Sequence, residues 1–197
     1  MQILRAADHR TTPWKNGGGV TSEICASPAG AGLEDFDWRV SLAKVASDGA
    51  FSRFSGVERT LAVLSGQGVE LTVADAAPHI LTPSTPPFSF PGAAATGARL
   101  LDGPILDLNV MVRRGKYGRR VTRLSLDAPR TLVVQASVCL LLCAEGALRI
   151  EAYGHEASLS THDVAFFESG EASLRLHSAS ITTAYLVEIT DLRAPAL

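Results

Sequence analysis

Short runs in which apolar and polar residues alternate fill most of the chain, broken every few residues by Gly, Pro, Ser or Asp, and helical periodicity is almost absent. That texture predicts an all-β sandwich or barrel. Around Phe36 to Ala43, Phe36, Trp38, Val40 and Leu42 fall on one face of a strand and Arg39, Ser41 and Ala43 on the other, which places Trp38 and Val40 in the core. A loop, ASDGAFSRFSGVE, follows from Ala46 to Glu58 and leads into a strand near Arg59 to Leu64. The turn Ser65 to Gly68 then precedes Val69 to Val73, where Val69, Leu71 and Val73 alternate with Glu70 and Thr72, and the two runs read as a strand pair.

Residues 75 to 99 are rich in Ala, Pro, Thr and Ser, and Pro78, Pro83, Pro86, Pro87 and Pro91 cannot donate to a sheet ladder. The segment is expected to be loop or edge, with a short strand around Phe88 to Phe90. The most legible strand is Ile105 to Arg114. Its Leu106, Leu108, Val110 and Val112 share one face, and Asp107, Asn109, Met111 and Arg113 share a face too polar for a dry core, meeting either solvent or a polar cavity.

KYGRR, Lys116 to Arg120, reads as a basic turn between two halves. Beyond it the β texture repeats at 131–134, 138–144, 145–152, 157–168, 173–178 and 182–189. LSGQGVELTV (64–73) and CAEGALRIEA (143–152) echo one another as strand, glycine turn and alternating strand, as two similar β units in tandem would.

At 197 residues with 46% hydrophobic content, the chain has material for one large domain or two small ones sharing a core. A net charge of −2, from 18 basic and 20 acidic residues, gives no electrostatic footprint for nucleic acid or an anionic membrane. MQILRAADHR lacks an apolar signal core, and the longest apolar run, Val138 to Ala144, falls far short of the roughly 20 residues of a membrane span. A soluble, cytoplasmic protein is expected. Cys25, Cys139 and Cys143 form no CxxC, and four residues along a strand span about 13 Å, so the last two read as buried structural thiols that neither bond to each other nor share a metal.

One stretch carries chemistry out of proportion to its length: PWKNGGGVTSE, Pro13 to Glu23. Three successive glycines cost backbone entropy and bury no side chain, so the chain needs unusual dihedrals or close approach there. Trp14, Lys15, Asn16, Thr21 and Glu23 beside them are binding-type side chains. A phosphate loop is excluded, because Lys15 precedes the glycines where that motif places it after them.

PWKNGGGVTSEI, DWRVSLAKVASDGAFSRFSGVERTLAVLSGQG and LDGPILDLNVMVRR, in this order and spacing, resemble the HutD/Ves family of bacterial proteins, strongly over residues 1 to 115 and in texture beyond. The resemblance implies two tandem cupin units, jelly-roll β-barrels packed as a bicupin, with residues 1–115 carrying the pocket and 116–197 forming a second cupin-like unit. It also implies association with histidine utilisation, where members have been proposed to bind a pathway metabolite and restrain the pathway's output; some relatives are linked instead to stress responses. Exposed cupin edge strands offer sites for pairing, which makes a homodimer the oligomer to expect.

A metal-binding cupin motif sets two histidines and a glutamate within a glycine frame. Between Gly49 and Gly66 the frame survives, but Ser55 and Val57 stand at the histidine positions and Leu61 or Ala62 at the glutamate position, so the usual metal lacks donors. No metal and no cofactor are expected. His9, His79, His155, His162 and His177 form no close pair in sequence and read as surface or turn residues. Cys143 lies in apolar surroundings that would not activate a thiol, and Ser52 and Ser55 lack a nucleophile elbow, so no catalytic residue is expected.

The remaining groups suit a small polar anion. Lys15, Arg39 and Arg59 supply charge, and Thr21, Asn16, Ser41 and Asn109 supply neutral hydrogen bonds; Trp14, Phe51, Phe54 and Met111 wall a cavity, and Glu23 and Asp107 orient the cations. The expectation is a metal-free binding protein for a small carboxylate metabolite such as urocanate or formylglutamate. The rival is a metal-independent isomerase or lyase using Lys15 or Glu23 as acid or base.

Overall fold

The structure is a computed structural model that describes residues 1–193 and is built from antiparallel β-sheet, with no α-helix among the described residues. In chain order the strands are β1 (Gln2–Leu4), β2 (Arg10–Pro13), β3 (Gly19–Ser27), β4 (Trp38–Val45), β5 (Gly49–Ala50), β6 (Val57–Ser65), β7 (Val69–Val73), β8 (His79–Leu81), β9 (Phe88–Pro91), β10 (Thr96–Leu100) and β11 (Ile105–Arg113). They continue as β12 (Tyr117–Leu126), β13 (Arg130–Glu145), β14 (Leu148–Ala152), β15 (His155–Leu159), β16 (Val164–His177) and β17 (Thr182–Asp191). Among the described residues no helix is long and apolar enough to cross a membrane.

The described chain forms two compact units, Arg10–Arg114 and a second made of Met1–His9 together with residues 115–193. The division thus falls at the end of β11, but the first nine residues lie with the C-terminal part. β1 pairs with β16, and Arg5 Nη1 donates to Asp163 Oδ2 at 2.8 Å.

The Arg10–Arg114 unit has two sheets, ordered β2-β3-β4-β11-β6-β9 and β5-β10-β7-β8. Val45, Leu61, Val63 and Ile105 from the first pack with Val69, Leu71, Leu81 and Ala98 from the second, which is why these alternate positions are apolar. The Ser65–Gly68 turn does not join a paired hairpin, contrary to the pattern's suggestion. β6 and β7 belong to different sheets, and the glycines carry the chain round the corner: Gly66 and Gly68 have φ of +94° and +124°, and a Cβ on Gly66 would stand 2.6 Å from the Pro104 carbonyl. The proline-rich stretch 75–99 holds three short strands. β8 and β9 lie at sheet edges, where missing donors are tolerated, and β10, which contains no proline, lies inside its sheet.

In the other unit one barrel-like sheet runs β12-β17-β13-β16-β14-β15, with β1 added against β16, around Leu141, Ile150, Leu159, Leu174 and their neighbours. KYGRR is mostly strand, as its Tyr117–Arg120 open β12, pairing with residues 188–191 of β17. The runs 131–134 and 138–144 form one sixteen-residue strand, β13, and the run 157–168 divides between β15 and β16. The echo between 64–73 and 143–152 has a structural counterpart. β13 and β14, like β6 and β7, flank a glycine turn without pairing with each other.

Candidate functional site

PWKNGGG forms the loop of the β2–β3 hairpin. Trp14 N–H donates to the Gly19 carbonyl at 2.9 Å, Gly17 N–H to the Trp14 carbonyl at 3.0 Å, and Asn16 Oδ1 accepts from Gly18 N–H at 3.1 Å. Gly17 takes φ +72°, and a Cβ on Gly19 would lie 2.4 Å from the Lys44 carbonyl and 3.0 Å from the Trp14 ring. Two of the three glycines are therefore required by a positive φ and by close approach to β4. The register they set places Thr12 opposite Thr21 and Arg10 opposite Glu23. Trp14 Nε1–H donates to Thr21 Oγ1 at 2.7 Å, pinning the indole to the hairpin.

This hairpin forms one wall of a cavity of about 630 Å³ inside the Arg10–Arg114 unit, within the usual size range of small-ligand sites. Trp14, Lys15, Asn16, Thr21 and Glu23 border it from the hairpin and β3, Arg39 from β4, and Phe51 and Phe54 from the 46–58 segment. Arg59 comes from β6, and Asn109 and Met111 come from β11. Eleven of the thirteen positions singled out in the sequence thus meet around one space. Ser41 and Asp107 do not border it, since both are buried in the sheet behind it. Less legible in the sequence were Arg10 and Thr12, whose place follows from the hairpin register, and Ala31, Gly32 and Leu33, a loop with no periodic signal.

Arg59 is a buried charge bordering the cavity, with only 6% of its surface exposed. Its Nε–H donates to Asn109 Oδ1 at 3.0 Å, and its guanidinium carbon lies 4.6 Å from the Phe51 ring centroid and 5.5 Å from that of Phe90. Burial lowers the Arg59 pKa to about 10, opposed by Asp107 and assisted by Arg39, so the group is cationic at neutral pH. Asp107 is 1% exposed; burial lifts its pKa to about 7, against the pull of Arg59.

Beside this pair, Arg39 Nε–H donates to Glu23 Oε2 at 2.6 Å. Glu23 therefore orients Arg39, not Lys15, whose side chain stands on the exposed rim. A bulge between Glu23 and Cys25 in the β3–β4 ladder shifts the register here. The Cys25 thiol is driven to about 12 by burial and by Glu23, and Cys139 and Cys143 rise to about 12 and 11, chiefly by burial. All three are free thiols of low reactivity.

Arg113, the last residue of β11, ties together the loops near the cavity. Its Nε–H donates to the Phe36 carbonyl at 2.8 Å, Nη1–H to the Ser55 carbonyl at 3.2 Å and Nη2–H to the Glu34 carbonyl, while its guanidinium lies 5.2 Å from the Phe36 centroid. Phe36 packs with Val57, Met111, Ala31 and Phe54, three of which border the cavity.

No three His, Cys, Asp or Glu side chains gather to hold a metal among the described residues. Ser55 is exposed, and Val57 and Leu61 are buried apolar side chains. The residues present do not fit the metal that the cupin frame carries elsewhere. Among the histidines, His9 and His162 come within electrostatic range of each other and of Asp163, in the other unit, a proximity with no sequence signal. A second concavity of about 490 Å³ in that unit, bordered by Glu151, Tyr153, His155, Glu156 and Arg175, has a rim of solvated side chains and no buried charge.

Residues 6–184 match the family model HutD. An uncharacterized 21.2 kDa protein in the hutC 3′ region of Pseudomonas putida is 35% identical over 177 residues, 89% of this chain and 91% of that one. Protein Ves of Cronobacter sakazakii is 33% identical over 168 residues, 84% of this chain and 86% of that protein. Among solved structures, a conserved protein of unknown function from Pseudomonas aeruginosa PAO1 superposes with a TM-score of 0.91 at 33% identity, covering 96% of this chain and 98% of that one. HutD from Pseudomonas fluorescens SBW25 superposes with a TM-score of 0.81 at 31% identity and the same coverage. A cupin 2 conserved barrel domain protein from Leptotrichia buccalis, 10% identical with a TM-score of 0.60 over 95% of this chain and 100% of that one, shows that the fold is cupin-like.

Proposed function

The chain belongs to the HutD family, and on that premise we propose that it is a metal-free bicupin that binds a small carboxylate metabolite of histidine degradation, such as urocanate or formylglutamate, and regulates histidine utilisation. Two observations beyond the family support the setting: each unit is a β-sheet structure with the same strand–turn–strand echo, and the P. putida relative is named for its place beside hutC.

The observation that carries the ligand class is Arg59. A guanidinium is buried in a cavity wall only where its charge has work or compensation, and an arginine grips a carboxylate through parallel hydrogen bonds that a neutral group does not reproduce. Phe51, Phe54, Trp14 and Met111 give the cavity flat apolar walls for a planar or short aliphatic body. Asn109 adds a hydrogen-bonding position beside Arg59, and Glu23 adds another on the cavity wall. No histidine borders the cavity, which favours retention of a ligand over acid–base turnover at neutral pH.

Calorimetric titration of the protein with urocanate and formylglutamate tests this. One of the two binds at one site per chain and is recovered unchanged by mass spectrometry. Arg59→Ala lowers that affinity by about 10-fold to 100-fold, the loss of a charge-assisted hydrogen bond. The variant keeps its fold, because Asp107, freed of its cationic neighbour, takes a proton and is buried neutral. Absence of heat from both acids with folded protein, or an unchanged affinity in Arg59→Ala, overturns the assignment; conversion of the ligand shows an enzyme instead.

A further inference from the structure

β11 turns Asn109 and Met111 toward the cavity, and strand alternation puts Asp107 on the same side, one step along, opposite Ala43, which also borders the cavity. The Asp107 Oδ1 is buried and meets no hydrogen-bond donor among the described residues. An orphaned buried carboxylate oxygen is rare enough in a folded protein to call for a reason. On the same strand face Asn109 Oδ1 accepts from Arg59 Nε–H at 3.0 Å, and Arg59 and Asp107 lie within electrostatic range of each other.

The charged groups on this side of the sheet are few. β6 presents Arg59, β4 presents Arg39, and β3 presents Glu23, which is bonded to Arg39. Directly opposite Asp107 on the flanking strands are Ala43 and Val63, and the facing sheet sends in Val69, Leu71 and Ala98, none of them ionisable. Arg10 and Lys15 stand on the exposed rim. An anion seated at Arg59 would therefore bring a second negative charge beside Asp107 in apolar surroundings, where like charges repel strongly. Protonation of Asp107 relieves that repulsion, since every alternative requires moving Arg59 or exposing the carboxylate.

Resting on the carboxylate reading above, we infer that Asp107 is a specificity-determining residue that couples anion binding in the cavity to uptake of one proton, so that the site takes an acid as an anion with its proton and discriminates it from a neutral isostere. In the free protein Asp107 titrates near neutrality, raised by burial. A bound anion moves that titration higher. Affinity for the anion is therefore constant below the free-state pKa and weakens as pH rises through the interval between the free and bound values. Arg59, at about 10, and Cys25, at about 12, do not change charge in that interval.

Acetate and acetamide serve as matched probes, followed by the shift of the Trp14 indole N–H. Acetate is expected to bind about fivefold or more tightly near pH 6.5 than near pH 8.5, acetamide to show no such change, and Asp107→Asn to abolish the acetate dependence. Carbon-13 titration of the Asp107 carboxyl in the unsubstituted protein reads the same coupling without a variant, as an upward pKa shift on saturation with acetate. Acetate binding that is independent of pH, a dependence that persists in Asp107→Asn, or an Asp107 pKa unmoved by acetate overturns the coupling and leaves the carboxylate site standing. Failure of acetate to bind at any pH overturns both.

Discussion

At the scale of single residues, the site rests on charges that a sheet interior would normally refuse. Arg59 and Asp107 are both buried, and each is held away from its ordinary pKa mainly by that burial. The sign of the consequence for stability is fixed by Asp107. Its folded-state pKa of about 7 lies above its unfolded value, so the folded chain holds an extra proton between the two, and stability from this residue is greatest at acid pH and lost as pH rises through about 7. Asp107→Asn lacks this titration. The stability difference between the variant and the unsubstituted protein is expected to move in the variant's favour by about 1 kcal/mol or more between pH 6 and pH 8.5, read from urea unfolding at each pH. A constant difference across that range would show that Asp107 is already ionised when folded. The sequence made Arg59, Asn109 and Asp107 legible as polar members of strands, because alternation assigns faces. It could not tell Asp107, sealed behind the cavity, from Asn109, which borders it, because both lie on one face and only the depth of the flanking strands separates them.

At the scale of elements, the glycine run, the β11 strand and the Arg113 clamp hold the cavity in shape. The glycine run was readable as a place of close approach, and the structure gives the reason at Gly19, against the Lys44 carbonyl and the Trp14 ring. The turn at Ser65–Gly68 misled for a physical reason: a short glycine turn between alternating strands serves equally for a hairpin and for a corner between two sheets, and only the partner strands, β11 and β9 for β6 and β10 and β8 for β7, decide which. The role of Arg113 was not legible at all, because its three acceptors are backbone carbonyls at positions 34, 36 and 55. Arg113→Ala is expected to speed proteolysis in the loop between β3 and β4 and to weaken ligand binding by about three- to tenfold, although Arg113 does not border the cavity. Lysine at this position, a point charge without the guanidinium's fork, does not restore the protection. Unchanged proteolysis in Arg113→Ala would remove the clamp from the account of the cavity.

At the scale of the whole molecule, all-β class was readable from alternation, and the cupin-like fold followed from the resemblance. The placement of residues 1–9 was not, because the three-residue β1 carries too little pattern to announce its partner, β16, more than 150 residues away. The candidate site lies wholly within the Arg10–Arg114 unit, so the chemistry of binding and the family's proposed regulatory role meet in one question: what the cavity beside Arg59 holds. A crystal structure of the protein saturated with urocanate, and separately with formylglutamate, answers it most directly. The predicted result is one of these acids in the cavity with its carboxylate in hydrogen-bond contact with the Arg59 guanidinium and its body between the aromatic walls. An empty cavity at saturation with both acids, or a carboxylate bound away from Arg59, would contradict it.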